Sequence, residues 1–165
     1  MYGMAPDGIC FVDGQEWRRL TEAPPRLVFL AITPPSPRVA VILLNHADYA
    51  ARHLEACYDS LVHQTYPSDS FSVFIVSNGV SPEAQAFIGR VAPAARRLEN
   101  PANLGWSGGN NTALRAALQE DFAYVVLLNI DCVVEEGWLA ALVEAAQQRP
   151  DVQAHQPDIG ELWGH

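Results

Sequence analysis

An amide and a carboxylate, Asn129 and Asp131, follow directly on the apolar run Ala123-Tyr-Val-Val-Leu-Leu128. A run of that length, rich in Val and Leu, reads as a strand buried on both faces of a sheet, and such strands present ligand-binding residues at their carboxyl ends. In an extended chain, residues two apart point the same way, so both side-chain oxygens can face one ligand. A carboxylate at a strand tip suits a hard cation, magnesium or manganese, holding a diphosphate. The bland alternative is a strand that leaves the sheet through a turn, with Asp131 merely solvated.

Two further apolar runs end in polar residues: Arg38-Val-Ala-Val-Ile-Leu-Leu-Asn45 stops at an amide, and Phe71-Ser-Val-Phe-Ile-Val-Ser77 stops at Ser77-Asn78-Gly79. The stretch Asn103-Leu-Gly-Trp-Ser-Gly-Gly-Asn-Asn111 is expected as a loop feeding a helix that runs to about Gln119. There Gly105, Gly108 and Gly109 permit positive φ and close backbone approach, and Ser107 to Asn110 offer free N–H groups at the helix start. The spacing is neither GxGxxG nor a Walker loop, which excludes the common dinucleotide and P-loop readings. Trp106 can stack on a sugar or base, or simply cover the sheet edge.

Bringing these tips to one edge demands a particular order of elements. Residues 38–45 form a strand. A helix follows over 48–64, with Leu54, Tyr58, Leu61 and Val62 near helical spacing and Pro67 beyond its end. The strand 71–77 leads to a helix opened by Ser81-Pro82-Glu83 and running to about Val91. A weaker strand spans 95–100. After the strand ending near Asp131, a helix begins at Glu136, where acidic residues suit the dipole, and Pro150 stops it. This β-α-β-α-β-α-β-α order specifies an α/β protein: a Rossmann-like three-layer α/β/α arrangement with a mainly parallel sheet and right-handed crossovers. Ahead of it, residues 1–37 form an N-terminal extension with a hairpin about Asp13-Gly14 and a stiff linker at Thr33-Pro-Pro-Ser-Pro37. The domain is placed at 38–155, with 156–165 as a C-terminal tail.

Composition narrows the chemistry. The 165 residues allow one domain with a real core, and the formal charge is −9. All ten basic residues are Arg, which excludes a lysine phosphate clamp, a Schiff-base lysine and a P-loop lysine. An acidic chain without a basic run is a poor partner for nucleic acid. An acidic site facing a phosphorylated substrate requires a cation between them, consistent with Asp131. Cys10, Cys57 and Cys132 are odd in number and widely spaced, the pattern of reduced intracellular thiols. Leu27 to Ile32 is too short to span a bilayer, and Met1 to Cys10 lacks a basic n-region. The expected location is cytoplasmic, with attachment to the inner face of a membrane through a partner. His53 and Cys57 stand one helical turn apart without further ligands, and read as a packed helix face.

Taken in order, Val39 to Asn45, Ile75 to Gly79, Asn103 to Asn111 and Leu127 to Asp131 resemble family 2 glycosyltransferases of the GT-A fold. The last two motifs resemble the NxGxxGGxN and LNxD of the rhamnosyltransferase-like branch, and Leu54 to Pro67 resembles the family's first helix and its exit. The resemblance implies an inverting sugar transfer from a dTDP- or UDP-linked donor to a glycan or lipid acceptor. Asn45, Ser77 and Asn78 would line the nucleotide pocket. Asn103, Gly105, Gly108, Gly109 and Asn110 would border the ribose and donor sugar. Asp131 would hold Mg2+ or Mn2+ on the diphosphate, with Asn129 standing where many relatives carry another Asp. Two departures accompany the resemblance. Ser77 replaces the Asp that usually recognises the base. Family members also continue well beyond this point, supplying acceptor contacts and an Asp or Glu general base. Nothing after Asp151 resembles that segment, and Asp158 and Glu161 do not match its context. The chain is therefore expected to be a donor-binding half without an assigned general base. The alternative is a catalytically incomplete nucleotide-binding remnant, or a protein-interaction module whose exposed edge strand favours a protein partner or an oligomer.

Overall fold

The computed structural model describes residues 36–47 and 49–151, together with the backbone of 11–12 and 15–16. The chain divides into two units, Met1–Pro34 and Pro35–His165. In the first, strands β1 (Phe11–Val12) and β2 (Gln15–Glu16) pair antiparallel, Phe11 opposite Glu16, and the expected turn residues Asp13-Gly14 lie outside the described residues. The linker residues Thr33 to Pro35, Cys10 and the tail 156–165 lie outside the described residues, as do Asp158 and Glu161.

The second unit carries β3 (Val39–Asn45), a π-helical turn (Ala50–Leu54) running into α1 (Glu55–Val62), β4 (Phe71–Asn78), α2 (Pro82–Val91), β5 (Arg96–Asn100), α3 (Gly105–Ala117), β6 (Tyr124–Leu128) and α4 (Trp138–Gln148). The four strands pair in parallel in the order β5-β4-β3-β6. Side chains alternate across β3: Val39, Val41 and Leu43 pack with Leu54, Leu61, Ile88, Leu139 and Val143 from the π-helical turn, α1, α2 and α4. Ala40 and Ile42, with Phe74 and Val76 of β4, pack on the other face under Ala113 and Ala117 of α3. The three-layer α/β/α expectation therefore holds. Ser81 caps α2 as expected, accepting from Ala84 N–H at 3.3 Å, with proline in the first turn.

Two expectations are corrected. The apolar run before Asp131 is not buried on both faces. Among the described residues β6 pairs only with β3 and stands at a sheet edge, its residues are half-buried, and Leu127 is 46% exposed. α3 lies mainly over β3 and β4, so the strands covered on both sides are those two. The glycine-rich stretch is not a loop: α3 begins at Gly105, placing Gly108, Gly109 and Asn110 within its first two turns. Glycine inside a helix costs about 1 kcal/mol. Here its absent side chain is what lets α3 approach the sheet, since a Cβ at Gly109 would overlap Leu44 and press on Asn78 Nδ2.

Candidate functional site at the carboxyl edge of the sheet

Parallel strands deliver all their following loops to one edge, so the tips of β5, β4, β3 and β6 stand side by side in that order. Neighbouring tips are about 4.8 Å apart. The polar residues predicted from sequence are on this edge, but they fall into separate settings.

In the middle stand Asn45 and Ser77, register partners on β3 and β4 and both buried. Asn45 Oδ1 accepts from Ala50 N–H at 2.8 Å, fixing the start of the π-helical turn. Its Nδ2 is buried and has no hydrogen-bond partner among the described residues. A buried donor left unmatched costs about 1–3 kcal/mol, so it marks a position that an incoming acceptor would satisfy. The residues that follow the β3 and β4 tips line a cleft of about 470 Å³, with Ala47, Ala51, Gly79, Val80, Ser81 and Phe87 among its walls. That volume lies within the range of small-molecule sites, and a mostly apolar lining suits a flat heterocycle. Ala47, at its mouth, holds a left-handed φ of 48°. Glu83 on the rim accepts hydrogen bonds from its own backbone N–H and from Ser81, which hold its carboxyl below the usual carboxylate range.

Toward β5 lies a closed polar corner organised by Asn78. Its Nδ2 donates to Asn103 Oδ1 at 2.8 Å and to Gly105 O at 3.2 Å. Its Oδ1 accepts from Asn100 Nδ2 and from Leu104 N–H, both at 3.1 Å. Asn103 Oδ1 also accepts from Gly105 N–H at 2.9 Å, so Asn78 and Asn103 together cap the first N–H groups of α3. Thr112 Oγ1 donates to Asn100 Oδ1 at 2.9 Å, and Asn110 Nδ2 to Trp106 O at 2.9 Å. Gly79, with φ 70°, fits beneath: a Cβ there would run into the backbone of Ala102 and Asn103. The amides predicted to meet a ligand here are engaged in holding the loop. Trp106, at the start of α3, projects outward and is 60% exposed.

On the other flank, beyond β6, the arrangement is open. β6 ends at Leu128, and Cys132 N–H donates to Asn129 O at 3.1 Å, closing a turn. Asn129 and Asp131 are therefore not successive same-side residues of an extended chain, and that part of the expectation is corrected. Both are exposed, while Ile130 between them is 3% exposed and anchors the turn in the core. The Cys57 thiol on α1 points at Asn129 O from 4.0 Å. Burial, then the neighbouring Cys132 and Asp131, push that thiol up to about 12. Cys57 and Cys132 are both free thiols.

Among the described residues no three His, Cys, Asp or Glu side chains converge as a metal site. Among those residues His53 and Cys57 are joined by no third ligand. This is compatible with a hard cation at Asp131, because magnesium-like ions take one or two carboxylates and complete their shell with substrate phosphates and water. No helix among the described residues is long and apolar enough to cross a membrane. Sequence reasoning did not single out Asn100 or Thr112, nor the cleft wall at Ala47, Ala51 and Phe87. Asn100 carries a signal of its own, as the polar last residue of a strand.

Comparison with known proteins agrees with this architecture. The crystal structure of TarS from S. aureus superposes with a TM-score of 0.57 at 16% identity, covering 68% of this chain and 20% of TarS. TarS 1-349 in complex with UDP-GlcNAc gives 0.58 at 16% identity, with 68% and 32% covered. Mannosyltransferase PcManGT from Pyrobaculum calidifontis, in complex with GDP-Man and Mn2+, gives 0.54 at 24% identity, with 68% and 32% covered. These likenesses establish the GT-A fold. In sequence, the uncharacterized protein Rv1525 of Mycobacterium tuberculosis is 38% identical over 50 residues, 30% of this chain and 19% of that protein. The chain thus spans about a fifth of that relative's length and a fifth to a third of these solved structures. The family model described as glycosyl transferase family 2 matches residues 39–162, most of the chain, and the chain belongs to that family.

Proposed function

We propose that this chain carries the donor-binding portion of a cation-dependent, inverting glycosyltransferase using a nucleoside-diphosphate sugar. The observation that carries the reading is Asn45 Nδ2, a buried donor without a partner. It stands at the tip of β3, between β4, whose following residues Gly79 to Ser81 line the apolar cleft, and β6, whose following turn carries the exposed Asp131. The base would enter the cleft against Phe87 and Ala51, with Asn45 and Ser77 on the strand tips that lead into it offering hydrogen bonds. The diphosphate would extend toward β6, where Asp131, with Asn129 beside it, would hold Mg2+ or Mn2+. The cation supplies charge neutralisation to the leaving diphosphate. The GDP-Man and Mn2+ of the mannosyltransferase complex and the UDP-GlcNAc of the TarS complex support this use of the fold.

Within this reading, Asn78, Asn103, Gly105, Gly108, Gly109 and Asn110 shape the donor site from behind, by holding α3 against the strand tips. Trp106 is the side chain of that corner free to stack on a sugar. The motif spacing favours the rhamnosyltransferase-like branch, with a dTDP- or UDP-linked donor and a glycan or lipid acceptor. The two free thiols suit the cytoplasm, at the inner face of a membrane where a lipid acceptor would sit. A second reading, a protein-interaction module, draws on one observation: the free β6 edge carries Leu127, 46% exposed, followed by Val133, 69% exposed.

Calorimetric titration of the full chain with UDP, dTDP and GDP, with and without Mn2+, separates the two. Saturable binding that needs the metal is the expected result. Folded protein that binds none of the nucleotides would leave only the interaction module.

A further inference from the structure

The segment between the Asp131 turn and α4 has no regular structure of its own, yet it is held in place along its length by α1 and the residues that leave it. Upstream, Cys57 of α1 meets Asn129 O and Ile130 is buried. Further along, Val134 N–H donates to Ser60 Oγ at 3.2 Å. Thr65 donates twice to Glu136 O, from its backbone N–H at 2.8 Å and its hydroxyl at 3.0 Å. Gln64 joins these contacts. Its Nε2 donates to Glu135 O at 2.7 Å and to Ser60 O at 3.0 Å. Its Oε1 accepts from Leu139 N–H at 2.9 Å.

Each contact has a definite consequence. Leu139 N–H belongs to the first turn of α4, and Gly137 at the cap position supplies no side chain to satisfy it. Gln64 is therefore a cap provided from outside α4, by the exit of α1. The same amide ties the segment back to the end of α1 through Ser60 O. Cys57, Ser60 and Gln64 are spaced by three and four residues, so a single face of α1 and its exit is matched to the segment from Asn129 to Leu139. The turn bearing Asp131 is pinned before and after the carboxylate, and Asp131 itself is exposed.

We infer that Gln64 is a positioning residue for Asp131. It touches neither nucleotide nor cation, and acts by fixing the backbone that carries the carboxylate relative to the cleft. This rests on the reading of Asp131 as the cation-holding residue. Outer residues that orient a metal-bearing carboxylate change metal affinity without contacting the ion.

The test is titration of wild type, Gln64→Leu, Gln64→Glu and Asp131→Asn with UDP, dTDP and GDP, each with and without Mn2+. Gln64→Leu is expected to weaken metal-dependent nucleotide binding about 10- to 100-fold and to leave metal-free binding within about 2-fold. Gln64→Glu keeps the acceptor for Leu139 N–H but loses both donated bonds, so it should fall between. A merely structural role would weaken both modes together, in step with the melting temperature. If Asp131→Asn removes the metal dependence while both Gln64 variants keep the wild-type ratio, the inference about Gln64 is overturned. If Asp131→Asn leaves the metal dependence intact, or wild type shows none, the Asp131 reading beneath it fails instead. Should Gln64→Leu not fold by circular dichroism, Gln64→Glu and Ser60→Ala carry the test, and wild-type ratios in both overturn the proposal.

Discussion

The two flanks of the strand-tip edge make opposite use of similar residues. Toward β5, Asn78, Asn100, Asn103 and Thr112 bond to one another and to the first N–H groups of α3. Toward β6, Asn129 and Asp131 are exposed, and their turn is held from behind by backbone contacts to α1. The first corner is architecture built from amides. The second is a platform whose side chains are left facing solvent. Residue type alone does not separate the two. What separates them is whether a side chain's hydrogen-bonding capacity is already taken up inside the fold.

If that contrast is right, substitutions in the closed corner should act on stability and those in the open corner on binding. The largest effect is expected from Asn78→Leu, which strands Asn100 Nδ2 and Leu104 N–H and leaves Asn103 Oδ1 with Gly105 N–H as its remaining donor. A loss of about 3 kcal/mol or more is predicted, read by urea unfolding. Gly79→Ala comes next, at about 1–3 kcal/mol, because φ is 70° and the new methyl meets the backbone of Ala102 and Asn103. Cys57 lies behind the open corner and gives a pH-dependent effect. Its thiol is raised from the ordinary 9.0 to about 12. The folded state therefore holds the proton more tightly than the unfolded chain does. Its contribution is intact below pH 9 and lost as pH rises toward 12. Unfolding midpoints across that window should fall more steeply in wild type than in Cys57→Ala. The smallest stability effect is expected from Asp131→Asn, within about 0.5 kcal/mol, since the side chain is exposed. A large destabilisation there would break the contrast.

Much of this was legible in sequence. The alternation of apolar runs with helical spacing is local, and it specified the parallel three-layer fold and put the polar tips on one edge. The run preceding Asp131 was misjudged because a hydrophobic strand at a sheet edge has the same composition as one at the centre. Only the sheet order, with β3 between β4 and β6, distinguishes them. The glycines of α3 have a loop's composition, because glycine is a poor helix former. Their reason is a long-range one, the approach of Gly109 to Leu44 and Asn78, which no local pattern records. The same holds for Gln64. Its partners at Glu135 and Leu139 are distant in sequence, and nothing in its neighbourhood foretells them.

Asp131 is the residue on which cation-dependent donor binding turns, and the measurement that tests its role is calorimetry of wild type and Asp131→Asn with UDP, dTDP and GDP, in Mn2+ and in chelator. The prediction is that manganese tightens binding of at least one nucleotide to wild type and no longer does so in a variant that melts at the same temperature. Equal manganese dependence in both proteins would contradict it.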